Sequence, residues 1–447
     1  MMDDFNKRWD DYAVYLPSIQ KAYAKAATKT ADKNRDLPNG VTLKSLNFLN
    51  PKSKLWNYKY GLYSVGQFRI GETQGDIVTN RDIKQTIVLG DSGGFQIGKG
   101  TLAGFTALKK CKTAEEVCTA WRGAEGIKLK NWIVNWLETN SDYAMTLDMP
   151  LWARSKPNKD TPFHKCSVQQ LTDLTVENLE FIKRNKRGNT KWLNVIQGDT
   201  PKDMKLWWDA VKGYRFSGWA LAGNVGWRGG TEAVLNQVLM MRDEGAFEKG
   251  LDWLHVLGVS QLKWAVILTA IQRGLRASTN PNLRVSFDSA SPNILAGKFE
   301  QVAKYPKFTS KEDSWVVSAV RVPNAKVYVD SGDKYPFPFQ SPIGDKLKLS
   351  HINVKNKRFS NVRFDEVSQT LLTHHNTYVY VRAMLEANEL AFLDKADAQQ
   401  FVPQNLLNCL HLIEELLSSK KWKTKLTANK KLFDAVDKMS KDEVFVV

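Results

Sequence analysis

From about residue 85 the chain alternates short apolar runs, each closing on polar or small residues, with longer segments whose apolar positions recur at three and four spacing. The runs are IVLGDSGG (87–94), DYAMTLDMP (142–150), WLNVIQGD (192–199), GWALAGN (218–224), LHVLGVS (254–260) and RVSFDSA (284–290). Between them, 168–185, 201–212, 231–244 and 260–274 carry helical periodicity. Strands alternating with helices predict a parallel sheet. Six such units, with enough chain upstream for two more, fit a (β/α)8 barrel of the TIM type, and no GxGxxG opens a helix as a doubly wound nucleotide-binding sheet would require.

The barrel expectation locates the chemistry. Asp91, Asp148, Gln197, Gly223 and Asp288 all fall at the carboxyl ends of their runs, the rim on which barrel enzymes place catalytic groups. Residues 326–360, centred on KYPFPFQSPIGDK, read as an irregular insertion, and helical periodicity resumes near 364 and continues to about 437. The expected organisation is a catalytic barrel over 1–325, followed by an insertion and a mainly helical region, 326–447, packed on it.

Charge narrows the partners. The 447 residues carry 64 Lys and Arg against 47 Asp and Glu, a net +17, and 43% are hydrophobic, a globular composition. Fourteen of the seventeen excess positive charges fall within residues 1–330, so the barrel is the half suited to a polyanion. No basic amphipathic helix or lipidation motif points to a membrane, and the apolar stretch around 264–271 is too short to span one. The N-terminus lacks a secretory pattern, and four cysteines (Cys111, Cys118, Cys166, Cys409) are too few to staple the chain, so a reducing, cytoplasmic location is expected.

The most specific motif is Asp91-Ser92-Gly93-Gly94-Phe95-Gln96, directly after the run IVLG. Its glycines let backbone approach a ligand, and the aromatic can lie on a flat ring. Taken with LNVIQGD, FSGWALAGNVG, LHVLGVS and VSFDSA in this order, and with LLTHHNTYVYVRAM (371–384), it resembles the tRNA-guanine transglycosylase superfamily over roughly residues 85–293. Those enzymes exchange a guanine in a nucleic acid for a 7-deazaguanine with retention at the anomeric carbon.

The resemblance implies a role for each matching position. Asp288 corresponds to the nucleophile that holds the sugar as a covalent intermediate, and Asp91 to the general acid/base that also binds the base. Ser92, Asp148, Gln197 and Gly223 correspond to groups reading the purine edges, Phe95 to the aromatic stacking on it, and Leu257 to the apolar residue on its other face. No cofactor is implied. The family's CxCxxC zinc cluster is absent, since Cys409 is the single cysteine beyond Asp288, and neither the adjacent His374 and His375 nor Cys111 and Cys118, seven apart on an expected helix, make a metal site.

With the zinc cluster and the family's basic segment after the nucleophile both missing, the chain looks most like the phage and bacterial members that act on DNA. A phage-encoded enzyme would work in the host cytoplasm. The expected partners are DNA and a 7-deazaguanine base, with Lys99, Arg154, Lys156, Lys159, Arg228 and Lys298 as phosphate contacts on the catalytic face. A divergent tRNA enzyme is the second expectation and a non-catalytic nucleic-acid-binding subunit the third. Members that take the cationic aminomethyl base carry an acid where an ungapped reading puts Arg228, so a neutral 7-cyano substituent near Asn224 is expected. A short insertion would bring Glu232 there and reverse that preference.

Overall fold

The eight strands of the computed structural model close into a parallel barrel, within a chain described over residues 2–32, 35–72, 75–355 and 364–439. They are β1 (Val14–Ile19), β2 (Tyr60–Ser64), β3 (Ile87–Asp91), β4 (Tyr143–Met145), β5 (Lys191–Ile196), β6 (Gly218–Leu221), β7 (Trp253–Val256) and β8 (Arg284–Ser289). The chain is a (β/α)8 barrel. All six apolar runs supply strands, and VYLPSI and YGLYS provide the two missing from the motif region. Their continuous burial, with no alternation, is what a parallel strand covered on both faces requires.

Closure brings the first strand beside the last: Leu16 pairs in register with Asp288, and across the β2–β3 ladder Ser64 pairs with Asp91. Helix starts follow from local chemistry. Ser167 and Gln170 form a reciprocal capping box before Val168–Asn185. Thr200 caps Pro201–Val211, where Pro201 occupies the first turn, in which its missing N–H costs nothing.

The barrel's outer layer includes a segment distant in sequence. After β8 come the short helix Ser291–Lys298 and an antiparallel pair, β9 (Gln301–Lys304) with β10 (Ser318–Arg321), which has no counterpart in the sequence expectations. The 26-residue helix Glu366–Ala391 then packs against β1, Ser291–Lys298 and Leu262–Ser278. The described residues of the segment expected to be an irregular insertion carry short turns of helix such as Leu349–Ile352, and its residues 356–360 lie outside the described chain.

His374 and His375 point apart from the helix Glu366–Ala391 and are core residues. Trp56 Nε1 donates to His374 Nε2 at 2.9 Å and Tyr23 Oη meets Nδ1 at 2.9 Å. His375 lies between Ser341 Oγ and Ala303 O. Burial pushes their pKa values down to about 3 and about 4, so both are neutral structural groups. Cys111 departs from expectation: it precedes the helix Ala114–Arg122 in a turn closed by its N–H to Leu108 O, and only Cys118 is helical and buried.

Candidate active site

Three carboxylates from three strands meet at the carboxyl rim. Asp91 ends β3, Asp148 lies three residues past β4, and Asp288 is the penultimate residue of β8. Burial raises the Asp91 pKa, the Ser64 hydroxyl and Gly93 N–H hydrogen bonds oppose it, and the neighbouring Asp288 charge raises it further. The Asp148 carboxyl is pushed up to about 7, chiefly by burial, with the Asp91 charge adding to it and a hydrogen bond from Gln197 opposing it. Asp91 feels or exerts a charge effect with both neighbouring acids, and Asp91 and Asp148 each keep a proton to higher pH than an exposed carboxylate would.

Among the described residues, the hydrogen-bonding contacts of the Asp288 side chain fall on one oxygen. Gly258 N–H donates to its Oδ1 at 2.8 Å, and His255 Nε2 lies 3.3 Å from the same atom. Both contacts load Oδ1 and leave Oδ2 outside them. The side chain is 13% exposed, enough for access without full hydration.

The motif glycines build the wall. Gly93 sits at φ 78°, left-handed backbone that side chains disfavour, and a Cβ there would come within 2.9 Å of Gly66 backbone. That contact seats the β2 loop on the β3 loop and places Ser64 on Asp91. A Cβ at Gly94 would lie 3.7 Å from Asp148 Oδ1, so that position borders the carboxylate.

Other expected residues are distributed as follows. Phe95 is 47% exposed and stacks against Trp152 with centroids 5.5 Å apart, which leaves part of its ring open. Ser92 is buried, Leu257 directly precedes Gly258, and Gly223 and Asn224 are exposed in a short turn after β6. Gln197 differs from its expected role. Its Nε2 donates to both Asp148 and Met149 O, and its Oε1 accepts from Leu151 N–H at 3.0 Å. With both N–H groups engaged it has none for a purine six-oxo group, and it orients Asp148 instead.

The cationic residues are less uniform than expected. Lys99 bonds Asn158 at 2.7 Å and lies over the Trp152 ring, Arg154 bonds Cys166 O, and Lys156, Lys159 and Arg228 are exposed in loops following β4 and β6. Lys298 is not in a rim loop. It is the last residue of Ser291–Lys298, roughly 10 Å along the helix from its start, because each residue advances about 1.5 Å. Glu232 is ion-paired with Lys430 at 3.3 Å.

Sequence reasoning missed three contributors: Ser64, Trp152 and His255. Ser64 closes an apolar run like the others but lies outside the motif region, and His255 sits inside one, where a lone histidine resembles core. Among the described residues, no group of three or more His, Cys, Asp or Glu side chains is placed to hold a metal, and no helix is long and apolar enough to cross a membrane.

The raised Asp148 pKa has a measurable consequence. Below about pH 4 Asp148 is protonated folded or unfolded; as pH rises from 4 to 7 the unfolded chain loses that proton while the folded one keeps it, so stability falls. The cost is complete above pH 7 and is on the order of a few kcal/mol. Asp148→Asn is expected to gain that amount over the wild type between pH 4 and pH 8, measured by denaturant unfolding. A difference constant over that range would reject the shift.

No family model matches this chain, and the comparison with curated proteins found no match. Two of the solved structures with a distant likeness illustrate its level. A psychrophilic glycoside hydrolase family 10 endo-beta-1,4-xylanase shares 10% identity over 58% of this chain and 67% of its own, with a TM-score of 0.26. A beta-glucosidase mutant derived from a hyperthermophilic tetrameric structure shares 9% over 77% and 72%, with a TM-score of 0.30. Likenesses at this level say nothing about substrate.

Proposed function

We propose that this protein is a DNA-guanine transglycosylase, which exchanges guanine in DNA for a 7-deazaguanine through a covalent aspartyl intermediate. The observation that carries the proposal is the cluster of Asp91, Asp148 and Asp288 on three strand ends, each acid in a different hydrogen-bonding environment. Asp288 Oδ2 attacks the anomeric carbon as its bond to N9 breaks, and the electron pair leaves with the purine, which takes a proton from Asp91. The incoming base gives its N9 proton to Asp91, and N9 displaces Asp288 with restored configuration. Asp148 accepts from the purine's N1–H and exocyclic amine, which favours its ionised form once the base is bound. A guanosine within a duplex must first be flipped out to reach these groups.

DNA is favoured over tRNA by the missing zinc cluster, and the barrel's excess of positive charge suits either. Incubation with radiolabelled guanine and matched DNA and tRNA is the deciding experiment, with label expected in DNA. Label in tRNA alone would transfer the proposal to the tRNA enzymes. For the incoming base, the exposed Arg228 disfavours a cationic substituent, and Glu232 is engaged by Lys430. In competition, 7-cyano-7-deazaguanine should bind at least about tenfold better than the aminomethyl form, the equivalent of about 1.4 kcal/mol. Tighter binding of the aminomethyl base would reject that preference.

A further inference from the structure

We infer that His255 is a positioning residue for Asp288, held in one tautomer between Ser286 and the Asp288 carboxylate, and that it assists departure of the carboxylate in the second displacement. The inference rests on Asp288 being the nucleophile. Trp253 Nε1–H donates to Ser286 Oγ at 2.7 Å, and Ser286 Oγ lies 2.8 Å from His255 Nδ1. All three side chains are buried in the barrel, His255 and Ser286 completely, on the paired strands β7 and β8.

The carboxylate sets the proton. Indole nitrogen only donates, so Ser286 Oγ accepts from Trp253 and keeps both its hydrogen and a second lone pair, able to serve either state of Nδ1. The Asp288 carboxylate at Nε2 can only accept. Nδ1 then accepts, and Nε2 carries the hydrogen that faces Asp288 Oδ1. The alternative, with hydrogen on Nδ1, would leave Nε2 as an acceptor facing a carboxylate oxygen. The 3.3 Å distance is long, as catalytic hydrogen bonds often are before substrate binds.

The chemistry follows from where charge moves. Attack through Oδ2 turns the carboxylate into an ester, and Oδ1 loses most of its negative charge. In the second displacement the C–O bond breaks, its electron pair returns to Asp288, and the bonds from His255 and Gly258 become charge-assisted again. A donor at Oδ1 therefore lowers the barrier to leaving without lowering the barrier to attack.

Trapping on a labelled, guanine-containing DNA duplex tests this. His255→Phe should reduce exchange by about 10²-fold, in the range for removal of one preorganised donor, and the fraction of protein-linked DNA on a denaturing gel should rise. His255→Gln, whose Nε2 can replace the imidazole donor, should recover exchange to within about tenfold of wild type. If His255 only fills space, Phe will be the better replacement and no adduct will build up, and that pattern overturns the inference. A second arm needs no substrate: ¹⁵N spectra of the labelled histidine should show hydrogen on Nε2. Hydrogen on Nδ1 in the wild type overturns the relay outright. Hydrogen on Nε2 with neither exchange nor adduct on DNA or tRNA supports the relay's geometry and rejects the proposed function instead.

Discussion

Asp288→Asn is expected to lower base exchange by at least about 10⁴-fold, the scale seen when a covalent nucleophile is removed, while thermal stability changes by less than about 1 kcal/mol. An amide oxygen can still accept from Gly258 N–H and His255 Nε2, so the end of β8 keeps its shape. What is lost is the anionic lone pair that attacks and the stable leaving group that departs. Exchange rate, melting temperature and DNA affinity should be measured on one preparation. Exchange near the wild-type rate removes Asp288 from the reaction, and loss of folding alongside activity would assign it a structural role.

Lys263→Met is expected to cost on the order of 3 kcal/mol, as breaking one side of a buried charged interaction does. Lys263 is only 2% exposed, and its ammonium donates to Val436 O, Asp437 O and Met439 O, the carbonyls closing Lys430–Lys438. Val436 O also accepts from the Met439 N–H at the helix cap, and the helix dipole concentrates negative charge at this end. Methionine fills the same volume but donates to none of the three. Asp437 in turn accepts from Thr231 N–H and Oγ–H at the start of Gly230–Asp243, a helix whose N-cap, Gly229, offers no side chain.

Undocking the last helix should therefore also loosen the turn carrying Gly223, Asn224 and Arg228. Limited proteolysis is expected to cut near 430–439 in the variant and not in the wild type, and exchange should fall with it. A variant that melts within about 1 kcal/mol of wild type and resists cleavage would show that the ammonium contributes little.

The sequence by itself determined the barrel. Parallel strands buried on both faces must be nearly continuous apolar runs, and their helices must show three and four spacing, so β3 to β8 are visible as pattern alone. The location of Asp91, Asp148 and Asp288 was legible for the same reason, because a residue closing an apolar run in such a barrel has to lie on the carboxyl rim. The tertiary structure alone decided which groups touch. Ser64 meets Asp91 because β2 and β3 pair in register, His255 meets Asp288 because β7 and β8 do, and Gln197 is turned onto Asp148 and Met149. Likewise the helix Glu366–Ala391 covers β1 across more than three hundred residues of chain. Periodicity is a local property of the chain that survives into any fold with the right layers, whereas a hydrogen bond between distant residues depends on register and closure, which exist only once the barrel has formed.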